Sequence, residues 1–380
     1  MEADQDLASV VLDAVSEALS VDEEWSVRND RSLVWWPSRI HQRIWVDPPR
    51  DSHGEVVTRV HAEVPLLRGV AEREGLLEMV SSLNGLASLS ALIYDADGGR
   101  ISLHGSGFAH AGNAWLVDVF KSAVALQLPA VDSQVEVLTG GFGGEPDLDD
   151  HPTSGAREEP DEILEIGDFF AEAGARPSPF SAGDFRAFVD DGEDLWLIAT
   201  HGDAGASVEL RFSSDVPATL AEPLESRSQR RELAAAYAKI GRPEGRPASD
   251  VHGVAWTVTR REDAGIGTAL LQIRADEPHP ALGSGLIAVL RLPVRMSAEE
   301  AAVRANELNR QERDEWTGAH ALGAWCTRGE EVAFVSFLPN LVLGREGSRA
   351  RRARLVNIAS AMVIRSSWAA KKLAEEEALS

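Results

Sequence analysis

Cysteine, tyrosine and methionine are scarce in this chain of 380 residues, with one, two and four respectively, and 37 basic side chains face 61 acidic ones. A lone Cys326 excludes an internal disulfide framework and any cysteine-rich zinc site, and fits a reducing compartment. The shortage of positive charge leaves a formal net charge of −24. A surface of that sign repels phosphate backbones and anionic bilayers, so no nucleic-acid partner and no membrane partner are expected. No apolar run approaches the roughly 20 residues of a membrane helix. Met1 to Asp6 carries three acidic residues, no basic one and no following apolar block, so no secretory signal is expected and the location reads as cytoplasmic.

Catalytic groupings are also missing. There is no Gly-x-Ser-x-Gly elbow, Cys326 sits in an apolar stretch beside Trp325, and Gly265-Ile266-Gly267 lacks the third glycine of a dinucleotide loop. His104, His110 and Asp118 do not fall at the short helical spacing that puts two metal ligands on one face. The expectation is a noncatalytic protein with no cofactor, no metal and no catalytic residue.

What is present is a pattern that occurs twice. Ile44-Trp45-Val46-Asp47-Pro48-Pro49 with Gly54 matches Ile273-Arg274-Ala275-Asp276-Glu277-Pro278 with Gly283, and Val64-Pro65-Leu66 and Leu83-Asn84 recur in order as Leu292-Pro293-Val294 and Leu308-Asn309. Trp25 and Trp256 hold matching places ahead of these blocks. In each copy two β-branched, apolar runs joined by a Pro/Gly-rich connection predict a hairpin, a helical stripe follows, then a second hairpin, then a long amphipathic helix. Ser297 and Glu300 are spaced as a capping box at the start of the second copy's first helix. The expected fold class is α+β, two related domains of order β-β-α-β-β-α, each an antiparallel sheet packed with helices.

Between the copies, residues 140–165 hold nine acidic side chains against the single Arg157, with many Gly and Pro. This composition predicts a flexible acidic linker, with a first domain at 1–139 and a second at 166–376. The second carries an amino-terminal elaboration that includes strands at 195–200 and 207–212 and a helix at 231–240.

Two features exceed a bland account. Trp35-Trp36-Pro37, with Trp45 nearby, would place its first two rings on opposite faces of a strand, one filling the core and the other free for a partner. The arginine-rich opening of the last helix, including Arg349, Arg351 and Arg352, is either a solvated or internally paired face or a dock for an acidic partner.

Leu308-Asn309, Gly323-Ala324-Trp325 and Val332-Ala333-Phe334-Val335-Ser336-Phe337-Leu338-Pro339-Asn340, followed by a long helix, resemble the YbjN and type III secretion chaperone-like superfamily. The likeness is clearer in the second copy than in the first. It implies a chaperone- or adaptor-like module that holds another protein or an extended peptide on sheet faces or in a groove between domains. Trp35, Trp36, Trp45, Phe334, Phe337 and Leu338 would serve as contact residues. Two copies in one chain would form an internal pseudo-dimer, with dimerisation of whole chains left open. The alternative reading is an acidic antitoxin or immunity-type protein that neutralises a basic effector.

Overall fold

The computed structural model describes residues 2–52, 55–86, 89–110, 114–166, 179–180, 184, 208–212, 253–260, 269–279, 282–317, 319–343 and 348–377. The chain forms two compact units, each a sheet packed with helices. The first comprises Met1–Asp168 with two later pieces, Asn309–Asp314 and His320–Ala324; the second holds the rest.

In the first unit, α1 (Glu2–Ala18) buries Ala8, Val11, Leu12 and Val15 at helical spacing. Strands β1 (Ser26–Asn29) and β2 (Ser32–Trp35) form a tight hairpin whose turn is set by Asn29, whose Oδ1 accepts from the amides of Arg31 and Ser32 at 2.9 and 2.8 Å. Then come β3 (Gln42–Val46), β4 (Arg50–Ser52), the 14-residue β5 (Glu55–Arg68), α2 (Leu76–Asn84), β6 (Ala91–Asp95), β7 (Arg100–His110), α3 (Ala114–Gln127), α4 (Ala130–Phe142) and β8 (Glu145–Pro146). The antiparallel order is β1-β2-β3-β5-β7-β6, with β4 and β8 also pairing to β5.

Alternation on the central strands sends Ile44, Val46, Val60, Ala62 and Val64 to one face, all buried. There Gln42 Nε2 donates to the Val124 carbonyl and to Gln127 Oε1 at 2.9 and 2.8 Å, and Gln127 Nε2 donates to the Ala62 carbonyl at 3.1 Å, tying α3 to the sheet. The recurring Leu-Asn pair has a structural use. Asn84 closes α2 by donating to the Leu92 carbonyl and accepting from the Leu92 amide, at 2.8 and 2.7 Å, as a neighbouring strand would.

The acidic segment is not a free tether. It is bonded into the first unit through backbone groups that its composition does not report. The amide of Asp147 donates to the Leu66 carbonyl at 2.9 Å, that of Asp149 to Arg39 at 3.0 Å, and that of Asp161 to Pro37 at 2.7 Å. Its one arginine, Arg157, donates to the Trp36 carbonyl at 2.8 Å and pairs with Asp161 at 3.1 Å. Residues 145–166 thus form a strap, and their carboxylates largely face solvent while their backbone is paired.

In the second unit the described strands are β9 (Val208–Phe212), β10 (Gly253–Arg260), β11 (Ala269–His279), β12 (Gly283–Arg295), β13 (Ala324–Arg328) and β14 (Glu331–Pro339). The described helices are α5 (Ala298–Asp314), whose residues Asn309–Asp314 belong to the first unit, α6 (Asn340–Leu343) and α7 (Ser348–Glu377). Ser297 caps α5 as expected, its Oγ accepting from the Glu300 amide at 3.2 Å. The strands predicted at 195–200 and the helix at 231–240 lie outside the described residues, whereas that at 207–212 is β9.

The six strands of the second sheet follow the order β9-β10-β11-β12-β14-β13, strand for strand the order of the first sheet's main path. Register makes the comparison residue by residue. Ile44 pairs with Leu33 and Ala62, and Ile273 pairs with Val254 and Ala288. On that alignment Trp256, opposite Leu271, corresponds to Trp35, opposite Gln42. The expected match of Trp256 with Trp25 is therefore shifted to Trp35.

Candidate functional site

The face of the first sheet away from α3 is polar. Arg59, His61 and Glu63 alternate with the apolar residues of β5, and across from them on β7 stand Phe108, Ser106 and His104. Trp45 of β3 lies opposite His61. The indole stacks on the His61 ring with centroids 4.6 Å apart and planes at 2°, and the Arg43 guanidinium lies 5.1 Å from the indole centroid.

His61 is the centre of a chain of polar contacts. Its Nε2 is 3.1 Å from Asp47 Oδ2 and its Nδ1 is 3.2 Å from His104 Nε2. With both rings neutral, one assignment satisfies both contacts: His61 donates from Nε2 to the carboxylate, and His104 donates from Nε2 to Nδ1 of His61. Burial pushes both histidines below their ordinary range, His104 well below it with His61 and Arg59 adding to the effect. The hydrogen bond from His61 holds the Asp47 carboxyl below its usual value. Beside them the buried Arg59 donates from Nη2 to Ser106 Oγ at 3.0 Å and to the carbonyl of Glu312. The second late piece is held by the amide of Phe108, which donates to His320 Nδ1 at 3.0 Å, and by that of Ser106, which donates to the Ala321 carbonyl at 3.1 Å.

At the corresponding registers the second unit has Ile287 for His61, Val289 for Glu63 and Val335 for His104, and these join Cys326 and Ala333 in an apolar cluster. The same strand order thus carries His and Glu at these registers in one unit and apolar residues in the other, where Arg274 and Gln272, opposite Ile287 and Val289, are the buried polar groups beside them. Among the described residues no group of three or more His, Cys, Asp or Glu side chains could hold a metal ion. Sequence spacing drew attention to His104 with His110 and Asp118 and missed His61, Asp47 and Arg59. The signal available was the alternation of Arg59, His61 and Glu63 with Val60, Ala62 and Val64.

Most of the sequence-derived contact residues are buried. Trp35 is 0% exposed and Trp36 5%, while Phe334, Phe337 and Leu338 are each at most 2% exposed. Trp36 was expected to be free on the opposite face from Trp35, but it stands past the end of β2, where the strap crosses. Its Nε1 donates to the Asp149 carbonyl at 3.0 Å and its ring meets His151 edge-on at 4.8 Å and His41 at 5.7 Å. Along β14 every residue from Val332 to Pro339 is buried, so both faces are covered. Phe334 packs edge-on to Trp325 at 5.4 Å under the Arg365 guanidinium at 3.6 Å, and Phe337 packs on His279 at 4.7 Å. Trp45 alone of the six is half-buried. Arg351 pairs with the buried Asp184 at 3.1 Å, while the side chains of Arg349 and Arg352, on α7, lie outside the described residues.

Trp36→Ala is accordingly expected to free the strap rather than to remove a contact surface. Emptying a pocket of that size costs about 3–5 kcal/mol. Faster hydrogen exchange at the amides of Asp147, Asp149 and Asp161 checks it, and unchanged protection there counts against the strap's being held by Trp36.

Among the described side chains of the edge strands, β1 offers the longest exposed run. Of the sheet-edge strands, β6 and β13 are largely buried, whereas β1 is exposed from Val27 to Asn29. The Trp36 amide donates to the Trp25 carbonyl at 2.9 Å. In an antiparallel ladder such bonded positions recur at every second residue, here at Val27 opposite Val34 and Asn29 opposite Ser32. The backbone N–H and C=O of Ser26 and Arg28 therefore point away from β2. Comparison with family models, with curated proteins and with solved structures returns no match.

Proposed function

We propose that the chain is a noncatalytic protein-binding module of the chaperone or adaptor kind, a tandem of two related units, and that it holds an extended polypeptide by strand addition at β1. The observation that carries the reading is the exposure of β1 at one end of its sheet while β6 at the other end is buried. An unpaired edge offers a row of backbone donors and acceptors that an extended peptide can complete. The shared strand order and the residue-by-residue register of the two sheets support the tandem. Since Trp35, Phe334, Phe337 and Leu338 are core residues, the edge takes the place of the sheet faces as the binding element.

Position 28 allows a clean test, because its amide faces outward. Arg28→Pro removes that donor without breaking a bond to β2, a position at which edge strands tolerate proline. It also removes the ion pair of Arg28 with Asp13, 2.7 Å long and exposed, so Arg28→Ala serves as the control. Twelve-residue peptides selected by the wild-type protein from a random display library are expected to bind Arg28→Ala nearly as well and Arg28→Pro at least about ten-fold more weakly. Equal binding to all three proteins would sink the strand-addition reading.

A further inference from the structure

Charge around the exposed edge selects among possible occupants. The strap reaches the end of β1: Ser154 Oγ donates to the carbonyl of Glu24, just ahead of the strand, at 3.1 Å, and Arg157 lies over the Trp25 ring at 5.1 Å. Glu23 and Glu24 before β1 and Asp30 in the turn after it are exposed, as are Asp149, Asp150, Glu158 and Glu159 on the strap. The local cations are engaged inward or paired. Arg28 is bound to Asp13 at 2.7 Å and Arg39 to Asp150 at 3.4 Å. Arg31 donates to the Asp47 carbonyl at 2.9 Å, and Arg157 is held by the Trp36 and Glu159 carbonyls and Asp161.

We infer that the segment added to β1 is basic, an extended stretch of another protein rich in lysine or arginine. The inference rests on the strand-addition reading and deepens it. Backbone pairing along Ser26 and Arg28 would supply the register, and carboxylates at both ends of the strand would supply the sign. The strap's backbone bonds and the Trp36 contacts keep its charges in place without a partner, so little ordering is needed on binding. Charges arranged in this way raise the association rate and discriminate against acidic competitors.

The test uses two fluorescein-labelled twelve-residue peptides, one alternating lysine and threonine, the other glutamate and threonine, and reads binding to the full chain by fluorescence anisotropy. The lysine peptide is expected to bind at least about ten-fold more tightly than the glutamate peptide at low salt, and to lose most of that advantage as salt rises into the range where the Debye length falls to about 3 Å. Neutralising the rim with E23Q, E24Q, D30N, E158Q and E159Q is expected to remove the preference while leaving the folded β1 edge. Arg28→Pro is expected to abolish binding of the lysine peptide even though it makes the surface more negative, a loss that simple attraction would not produce.

If both peptides bind alike to wild type and both are lost in Arg28→Pro, the basic-partner inference is overturned and strand addition stands. Should the lysine peptide bind Arg28→Pro as well as wild type, its binding is surface adsorption, and both fall. Failure of both peptides to bind wild type also overturns both.

Discussion

Gly285→Ala is expected to destabilise the second unit by about 3 kcal/mol or more, the upper end of overpacking costs. Gly285 lies on β12 opposite Pro339, and a β-carbon there would run into the carbonyl oxygen of Leu338 and come within 2.6 Å of Phe337 Cζ. The first obstacle is backbone inside a paired strand, so relief requires parting β12 from β14. The second is a ring wedged against His279 at 4.7 Å. A contrasting change calibrates the result. Gly140 lies within α4 with nothing within 4 Å of where its β-carbon would stand, so Gly140→Ala is expected to stabilise by roughly 0.5–1 kcal/mol. Hydrogen exchange at the amides of β12 and β14, with urea unfolding for both variants, checks the pair. A Gly285→Ala protein with wild-type protection on those strands would refute the clash.

Gly285 also shows how far the sequence could be read. It falls within a predicted strand, and the strand is there, but the need for glycine comes from the Leu338 carbonyl, more than fifty residues away. Local patterns located the β3–β5, β6–β7, β11–β12 and β13–β14 pairs, the helices α2, α3, α5 and α7 and the capping Ser297, because each follows from a period or a spacing within a short window, whereas α1, the β1–β2 hairpin and the separate α4 were not anticipated. The strap was misread for the opposite reason. Its nine acidic side chains report solvation, and they do face water for the most part, while the ties to Leu66, Arg39 and Pro37 run through backbone amides that any residue carries. Trp36 was misassigned because alternation assumes that β2 continues, and the strand stops at Trp35. The matched residues were legible in the sequence, yet only strand register could show that Trp256 takes the position in its sheet that Trp35 takes in the other.

The polar face of the first sheet is the remaining case, and it makes stability depend on acidity. Arg59, His61 and Glu63 alternate as a solvent-facing set would, but Arg59, His61 and His104 are at most 3% exposed. The charged groups acting on the histidine pair are Asp47, just past β3, Arg59 and Glu63 of β5, and Arg313 from the first of the later pieces, while Arg50 of β4, Glu312 and Asp314 act on Arg59 beside them. Burial depresses the folded-state pKa of His61 and His104 below the ordinary value of 6.5. In the unfolded chain both would take up protons near 6.5, while in the folded chain they resist protonation. Their contribution is therefore fully present above 6.5 and is lost as pH falls from there toward the folded values, at up to about 1.4 kcal/mol per pH unit for each ring. Asp47, also depressed, acts in the same direction only below its ordinary value of 3.8. The first unit's urea midpoint is thus expected to drop steeply between about pH 7 and pH 5.5. The second unit suggests the control, since Ile287 and Val335 occupy the equivalent registers. H61I with H104V should flatten the slope over that interval, leaving the smaller contribution of His41, which burial also depresses. Asp47, a third exposed, can take water in place of His61. A wild-type midpoint that holds constant down to pH 5.5, or a double variant with an undiminished slope, would show that these histidines do not control the acid sensitivity.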